Sequence, residues 1–322
     1  MGRRGRVVLI AALATVVAAS CVTTSPAAVA RPATTPTGNV SGRCVPTGNI
    51  ALTPGRQRID LVVNGEARWS YVQLPAGYDG TTRAPLVLSL HPFVMTPDVW
   101  EDYSGFAAAA AGRGFVVATP LGSDPGPRWG VPGGLAGSDD LAFIDALVAR
   151  LRSDLCIDSA RIYAAGFSAG AAMAIGLSCT FPGLFAGVAA SGGSNLTALC
   201  PQSAGVNTLI LHGQDDPIAP PTGSTVVFAP PMGLHVDDVV ASTATRSTCD
   251  PTPTIARRFP TVDVATYHGC SAGHRLEYWK MYGTGHTWAG AQASLFQVLA
   301  GIILGPTNQD FSANQVVLNF FA

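Results

Sequence analysis

Hydrophobic and polar positions along this chain follow two periods, and the periods take turns. Residues 68–75 (RWSYVQLP) mix aromatic and β-branched side chains as a strand does. Residues 85–92 (PLVLSLHP) run almost without a polar break, the pattern of a strand buried on both faces. Residues 98–114 (DVWEDYSGFAAAAAGRG) predict a helix closing at a glycine, and 115–120 (FVVATP) the next short strand. Apolar side chains three and four apart make 141–155 (LAFIDALVARLRSDL) helical. Residues 161–166 (RIYAAG) predict a strand, and 171–179 (AAMAIGLSC) a helix of small residues able to pack close to a sheet. Three further strands are expected at 185–193, 207–213 and 275–283, with a late helix at 294–304 (SLFQVLAGIIL). Strands alternating with helices imply right-handed crossovers, hence an α/β fold with a mostly parallel central sheet and helices on both faces.

The first 44 residues stand apart from this pattern. MGRRGR is basic, and Val7 to Ala19 is an apolar run too short to span a bilayer, so residues 1–30 read as a signal peptide. Cleavage after Ala28-Val29-Ala30 would leave Arg31 first. The alternative is a lipobox, Ala18-Ala19-Ser20-Cys21, which would leave Cys21 lipidated and the protein anchored at the cell envelope. Residues 31–44 carry Thr, Pro and Ala without periodicity and read as a linker, which leaves 45–322 as one catalytic domain.

Composition narrows the options. The chain has 322 residues, 48% of them hydrophobic and only 12% charged, with a net charge of −1. Without a basic patch or run, nucleic-acid binding is not expected. Either processing route removes Cys21 from the thiol count, leaving Cys44, Cys156, Cys179, Cys200, Cys249 and Cys270. An even set in an exported chain reads as disulfides. Oligomeric state is left open.

The candidate chemistry lies at strand ends. Gly166-Phe167-Ser168-Ala169-Gly170 fits G-x-S-x-G, a strained strand-to-helix bend that lifts a serine hydroxyl clear of its sheet. In so glycine-rich a chain the pentapeptide needs context, and the context is present. Asp215 and Asp216 follow the strand at 207–213, and His286 follows the strand at 275–283. The order Ser, Asp, His, each after a strand, is that of an α/β-hydrolase. Ser168 is then the nucleophile, His286 its base, and one of the two aspartates the group that orients the imidazole. His91 and His212 also end strands and are read as packing or supporting residues. Asp139 and Asp140, at a helix start, cap it or support a neighbouring loop. Trp129, Trp288 and Phe167 are expected to line a substrate cleft.

GFSAGAAMA, LILHGQDDPIAP and GTGHTWAG resemble the signature segments of secreted polyhydroxybutyrate depolymerase-type esterases, a family that also contains feruloyl esterases. SDDLAFIDALV and CIDSARIY are similar to that family too, so the resemblance covers roughly residues 60–305. It implies a secreted serine esterase acting on a small ester, polyester or oligoester, without metal or cofactor. The family's HGxxD pattern puts the aspartate at Asp216, with Asp215 as the alternative. Where the family usually has His-Gly after the third strand, this chain has His91-Pro92. Proline has no N–H to offer an oxyanion, so the donors implied are the N–H groups of Phe93 and Ala169. The run His268-Gly-Cys270-Ser-Ala-Gly-His274 could suggest a metal, but Cys270 is read as a disulfide partner of Cys249.

Overall fold

A computed structural model describes residues 44–123, 128–131, 139–200, 202–223, 233–291 and 303–322. The expected signal peptide, its Cys21 and most of the expected linker lie outside these residues, as does nearly all of the expected helix at 294–304.

The strands are β1 (Gly55–Val63), β2 (Glu66–Leu74), β3 (Ala84–Leu90), β4 (Val116–Pro120), β5 (Ile157–Phe167), β6 (Gly187–Ser191), β7 (Asn207–Gly213), β8 (Thr254–Phe259), β9 (Val262–Tyr267) and β10 (Leu276–Met281). They form one sheet in the order β1-β2-β4-β3-β5-β6-β7-β10-β9-β8. The central strands from β4 to β10 run parallel, whereas β1, β2, β8 and β9 flank them antiparallel.

The helices are α1 (Pro97–Ser104), α2 (Phe106–Ala111), α3 (Asp139–Asp154), α4 (Ala169–Thr180), α5 (Val236–Arg246) and α6 (Ala313–Phe321). The period-2 alternation of the strands sorts them between two faces. Leu86, Leu88 and Leu90 pack with α3 and α4. Val87 and Val117 pack with α1, α2 and α6. Ile210 and Tyr278 meet α5. Each central strand is thus covered on both sides, which is why its sequence reads as an apolar run.

The single helix expected at 98–114 is two. Gly105 adopts φ 60°, ending α1 and starting α2 in one residue. That left-handed geometry is cheap for glycine and breaks the helical ladder.

Six cysteines form three bridges: Cys44–Cys156, Cys179–Cys200 and Cys249–Cys270. Cys44, at the end of the expected linker and one of the six cysteines expected in disulfides, is tied to the residue just before β5. Asp140 supports a loop, the second of the two roles expected for it. Its buried carboxylate pairs with Arg68 and accepts from Ser123 Oγ at 2.8 Å and from Gly130 N at 2.7 Å.

Candidate active site

The chain bends sharply between β5 and α4, and Ser168 sits on the bend with φ 55° and ψ −120°. A non-glycine residue is rarely held there, and such strain collects where a site needs a fixed geometry. Both glycines of the pentapeptide are required by close approach. A Cβ on Gly166 would lie 2.2 Å from the Gly170 carbonyl oxygen, and one on Gly170 would lie 2.1 Å from that of Leu90. No larger residue fits either position without moving backbone. Ser168 N donates to Ser191 O at 2.9 Å, tying the bend to the end of β6.

Asp216 follows β7 and His286 follows β10, and these two strands are neighbours. All three side chains therefore gather at the carboxyl ends of the parallel strands β5, β7 and β10, with β6 between the first two. His286 Nε2 lies 2.8 Å from Ser168 Oγ, and His286 Nδ1 lies 2.7 Å from Asp216 Oδ2. The tautomer follows from the partners. A carboxylate only accepts, so Nδ1 carries the proton and Nε2 is left to accept the serine hydroxyl. Asp216 Oδ1 accepts from Ile218 N and Ala219 N, each at 2.8 Å, which fixes the carboxylate plane. Burial would raise the Asp216 carboxyl, but the His286 and His212 rings and the Ala219 amide outweigh it and hold it below the usual range. It stays ionised beside the imidazole.

Asp215, the alternative orienter, does something else. Its Oδ2 accepts from Gly283 N at 2.7 Å and its N–H donates to Thr284 O at 3.1 Å, both on the loop that carries His286. His212 is fully buried; its Nε2 donates to Ala219 O at 2.8 Å and lies 3.8 Å from Asp216 Oδ2. Burial lowers its pKa. It backs the aspartate without touching the serine.

Of the expected oxyanion donors, Ala169 is the first residue of α4, so its N–H has no acceptor within the helix. Phe93 is 48% exposed and its N–H meets no acceptor among the described residues.

The expectation of a cleft lined by Trp129, Trp288 and Phe167 is corrected. They are 2%, 1% and 3% exposed and leave almost no surface for a ligand. Trp288 packs edge-on against Trp100 and Phe106, and its indole N–H donates to Asn314 Oδ1 at 2.8 Å. The Phe167 ring packs against the His286 ring with centroids 4.8 Å apart. Trp129 Nε1 donates to His91 O at 2.8 Å. Apolar bulk near a motif reads alike in sequence whether it lines a cleft or props one. Near the run at 268–274, Cys270 is bridged, and no metal-holding cluster occurs among the described residues.

Known proteins resemble this chain in sequence and in fold. A family profile described as Esterase PHB depolymerase matches residues 70–246, more than half of the chain. Feruloyl esterase B of Piromyces equi is 34% identical over 122 residues, 37% of this chain and 23% of that protein. Feruloyl esterase C of Emericella nidulans is 29% identical over 187 residues, 55% of this chain and 67% of that one. The chain thus spans about a quarter of the first relative and two thirds of the second. Among solved structures, an acetyl xylan esterase from Aspergillus awamori shares the fold with a TM-score of 0.55 at 18% identity, over 72% of this chain and 94% of that one. These matches carry the fold, an α/β-hydrolase sheet, and with the profile they assign the protein: the chain belongs to the PHB depolymerase family of esterases.

Proposed function

We propose that the protein is an exported serine esterase that hydrolyses short-chain hydroxyalkanoate or related esters through an acyl-enzyme. The single observation that carries this is the continuous path from Asp216 Oδ2 through the His286 ring to Ser168 Oγ, at 2.7 and 2.8 Å. As Ser168 Oγ attacks the ester carbonyl, its proton passes to His286 Nε2, and Asp216 stabilises the imidazolium. The N–H groups of Ala169 and Phe93 take the oxyanion. His286 then gives the proton to the leaving alcohol, and a water activated by the same imidazole releases the acid.

Export is supported by the basic and apolar N-terminus and by the three bridges, which persist in oxidising compartments. A second reading, hydrolysis of feruloylated sugars, is favoured by the feruloyl esterases among the relatives.

A side-by-side panel of p-nitrophenyl acyl esters, hydroxybutyrate oligomers and methyl ferulate tests both. Free acid should appear without any added alcohol. The highest kcat/KM on the oligomers supports the first reading, and the highest on methyl ferulate the second. Product formed only when an acceptor alcohol is supplied would refute hydrolysis in favour of acyl transfer.

A further inference from the structure

Pro92 lacks an N–H, and its ring fixes φ, so the plane of the Pro92–Phe93 peptide turns on the ψ of Pro92 alone. The structure holds that plane from the carbonyl side. His91, just past β3, is wholly buried. Its Nε2 lies 2.9 Å from Gly122 N, and an amide donates, so Nε2 is the accepting nitrogen. The proton is therefore on Nδ1, which donates to Pro92 O at 2.8 Å. The ring cannot drift, because Trp129 packs against it at 4.7 Å and donates to the His91 carbonyl.

Pro92 O also accepts from Met95 N at 3.4 Å, closing a turn in which Val94 is held at φ 60°. A β-branched residue avoids that conformation unless its surroundings impose it. In a trans peptide the C=O and the following N–H point opposite ways. Drawing Pro92 O toward the buried imidazole turns Phe93 N–H to the other side, where it meets no acceptor among the described residues. The first turn of α4 abuts this strand end: a Cβ on Gly170 would come within 2.8 Å of His91 O.

The geometry points to His91 as a positioning residue, whose Nδ1–H aims the Phe93 N–H at the oxyanion formed when Ser168 attacks an ester. This rests on the reading of Ser168 as the nucleophile.

Two near-isosteric variants divide the imidazole's two bonds. In His91→Asn the amide NH2 takes the place of Nδ1–H and keeps the bond to Pro92 O. In His91→Gln the amide oxygen reaches the place of Nε2 and keeps the bond from Gly122, but Pro92 O loses its donor. The readouts are kcat and KM for p-nitrophenyl butyrate, and the inhibition constant of a trifluoromethyl ketone, which forms a tetrahedral oxyanion on the serine.

His91→Gln should lower kcat by on the order of a hundredfold, as the loss of an oxyanion donor does, and weaken the ketone by a similar factor with KM little changed. His91→Asn should keep both within roughly fivefold. Unchanged kcat and ketone affinity in His91→Gln would overturn the proposal. So would equal losses in both variants that track their unfolding midpoints.

If neither variant folds, Phe93→Pro and Phe93→Ala decide on the exposed side of the loop. The second position of a turn welcomes proline, so Phe93→Pro removes the N–H with little strain, and Phe93→Ala keeps it. Full ketone affinity in Phe93→Pro would leave His91 no donor to aim. Stoichiometric labelling of Ser168 by a p-nitrophenyl dialkyl phosphate separates the two failures. A labelled serine beside an undiminished His91→Gln rejects this proposal alone, and an unlabelled serine rejects the nucleophile as well.

Discussion

Asp215 and Asp216 are adjacent in the chain and grip the His286 loop at two different points. Asp216 Oδ2 meets the imidazole at 2.7 Å, while Asp215 Oδ2 takes the Gly283 N–H at 2.7 Å, three residues before the histidine. One carboxylate sets the tautomer and the other sets the backbone. Asp216→Asn keeps the shape but offers an amide to Nδ1, favouring the wrong tautomer, and should lower kcat by about 10⁴. Asp215→Asn still presents an oxygen to Gly283 and should stay within about tenfold of the wild type. Steady-state rates on p-nitrophenyl acetate separate them. The reverse ranking would exchange the two roles.

Acid should destabilise the protein earlier than carboxylates alone would require. Burial holds His91 down at about 4, against the opposing pull of its bond to Pro92 O and of nearby Asp140, and burial lowers His212 too. Unfolded, both rings bind a proton near 6.5; folded, they refuse it until lower pH. Stability is therefore complete above roughly pH 6.5 and is lost as pH falls toward 4, by about 3 kcal/mol for His91 alone. Urea midpoints measured from pH 7 to 4.5 should fall steadily, and His91→Asn should show a shallower slope. A flat wild-type profile over that range would contradict the buried neutral imidazoles.

The bridges should differ in weight. Cys44–Cys156 closes 112 residues, whereas Cys179–Cys200 and Cys249–Cys270 each close 21. By loop-closure entropy the long one contributes about 5 kcal/mol and each short one about 3. Pairwise Cys→Ala variants compared by denaturant unfolding should follow that order. A larger loss from either short bridge would mean that native contacts, not chain entropy, set their worth.

Much of the fold was legible because the central strands are buried on both faces and leave unbroken apolar runs, as at 207–213. The edge strands were not legible for the opposite reason. In β1, Ile59, Leu61 and Val63 face the protein while Asp60 and Val62 are exposed, and the apolar run is only three residues long, Leu61 to Val63. A signal was present: Asn64-Gly65 between β1 and β2, with φ 54° and 85°, is the turn that a tight hairpin favours. β8, exposed along most of its length and carrying Arg257 and Arg258, gave less, and in β9 the buried Val262, Val264 and Ala265 are interrupted by Asp263. That Ser168, Asp216 and His286 come together could be read from their order and their strand ends. The surroundings of the three aromatics could not, because Phe167 and Trp288 depend on what Trp100 of α1 and Asn314 of α6 bring against them, and Trp129 on the buried His91.

Trp288 carries that correction to a test. Trp288→Leu removes an indole packed on Trp100 and Phe106 together with its bond to Asn314, and should cost roughly 3 kcal/mol of stability. The ratio of KM for methyl ferulate to KM for p-nitrophenyl butyrate should not change. A selective rise in KM for the aromatic ester would restore Trp288 to the substrate cleft.

The central claim is that the hydroxyl at 168 is the attacking group, and Ser168→Ala tests it most directly. Hydrolysis of p-nitrophenyl acetate by the purified variant is compared with the wild type, with the unfolding midpoint of each recorded alongside. The expected result is a fall in kcat on the order of 10⁶ with the midpoint nearly unchanged. Turnover within about tenfold of the wild type, from a variant that is still folded, would contradict it.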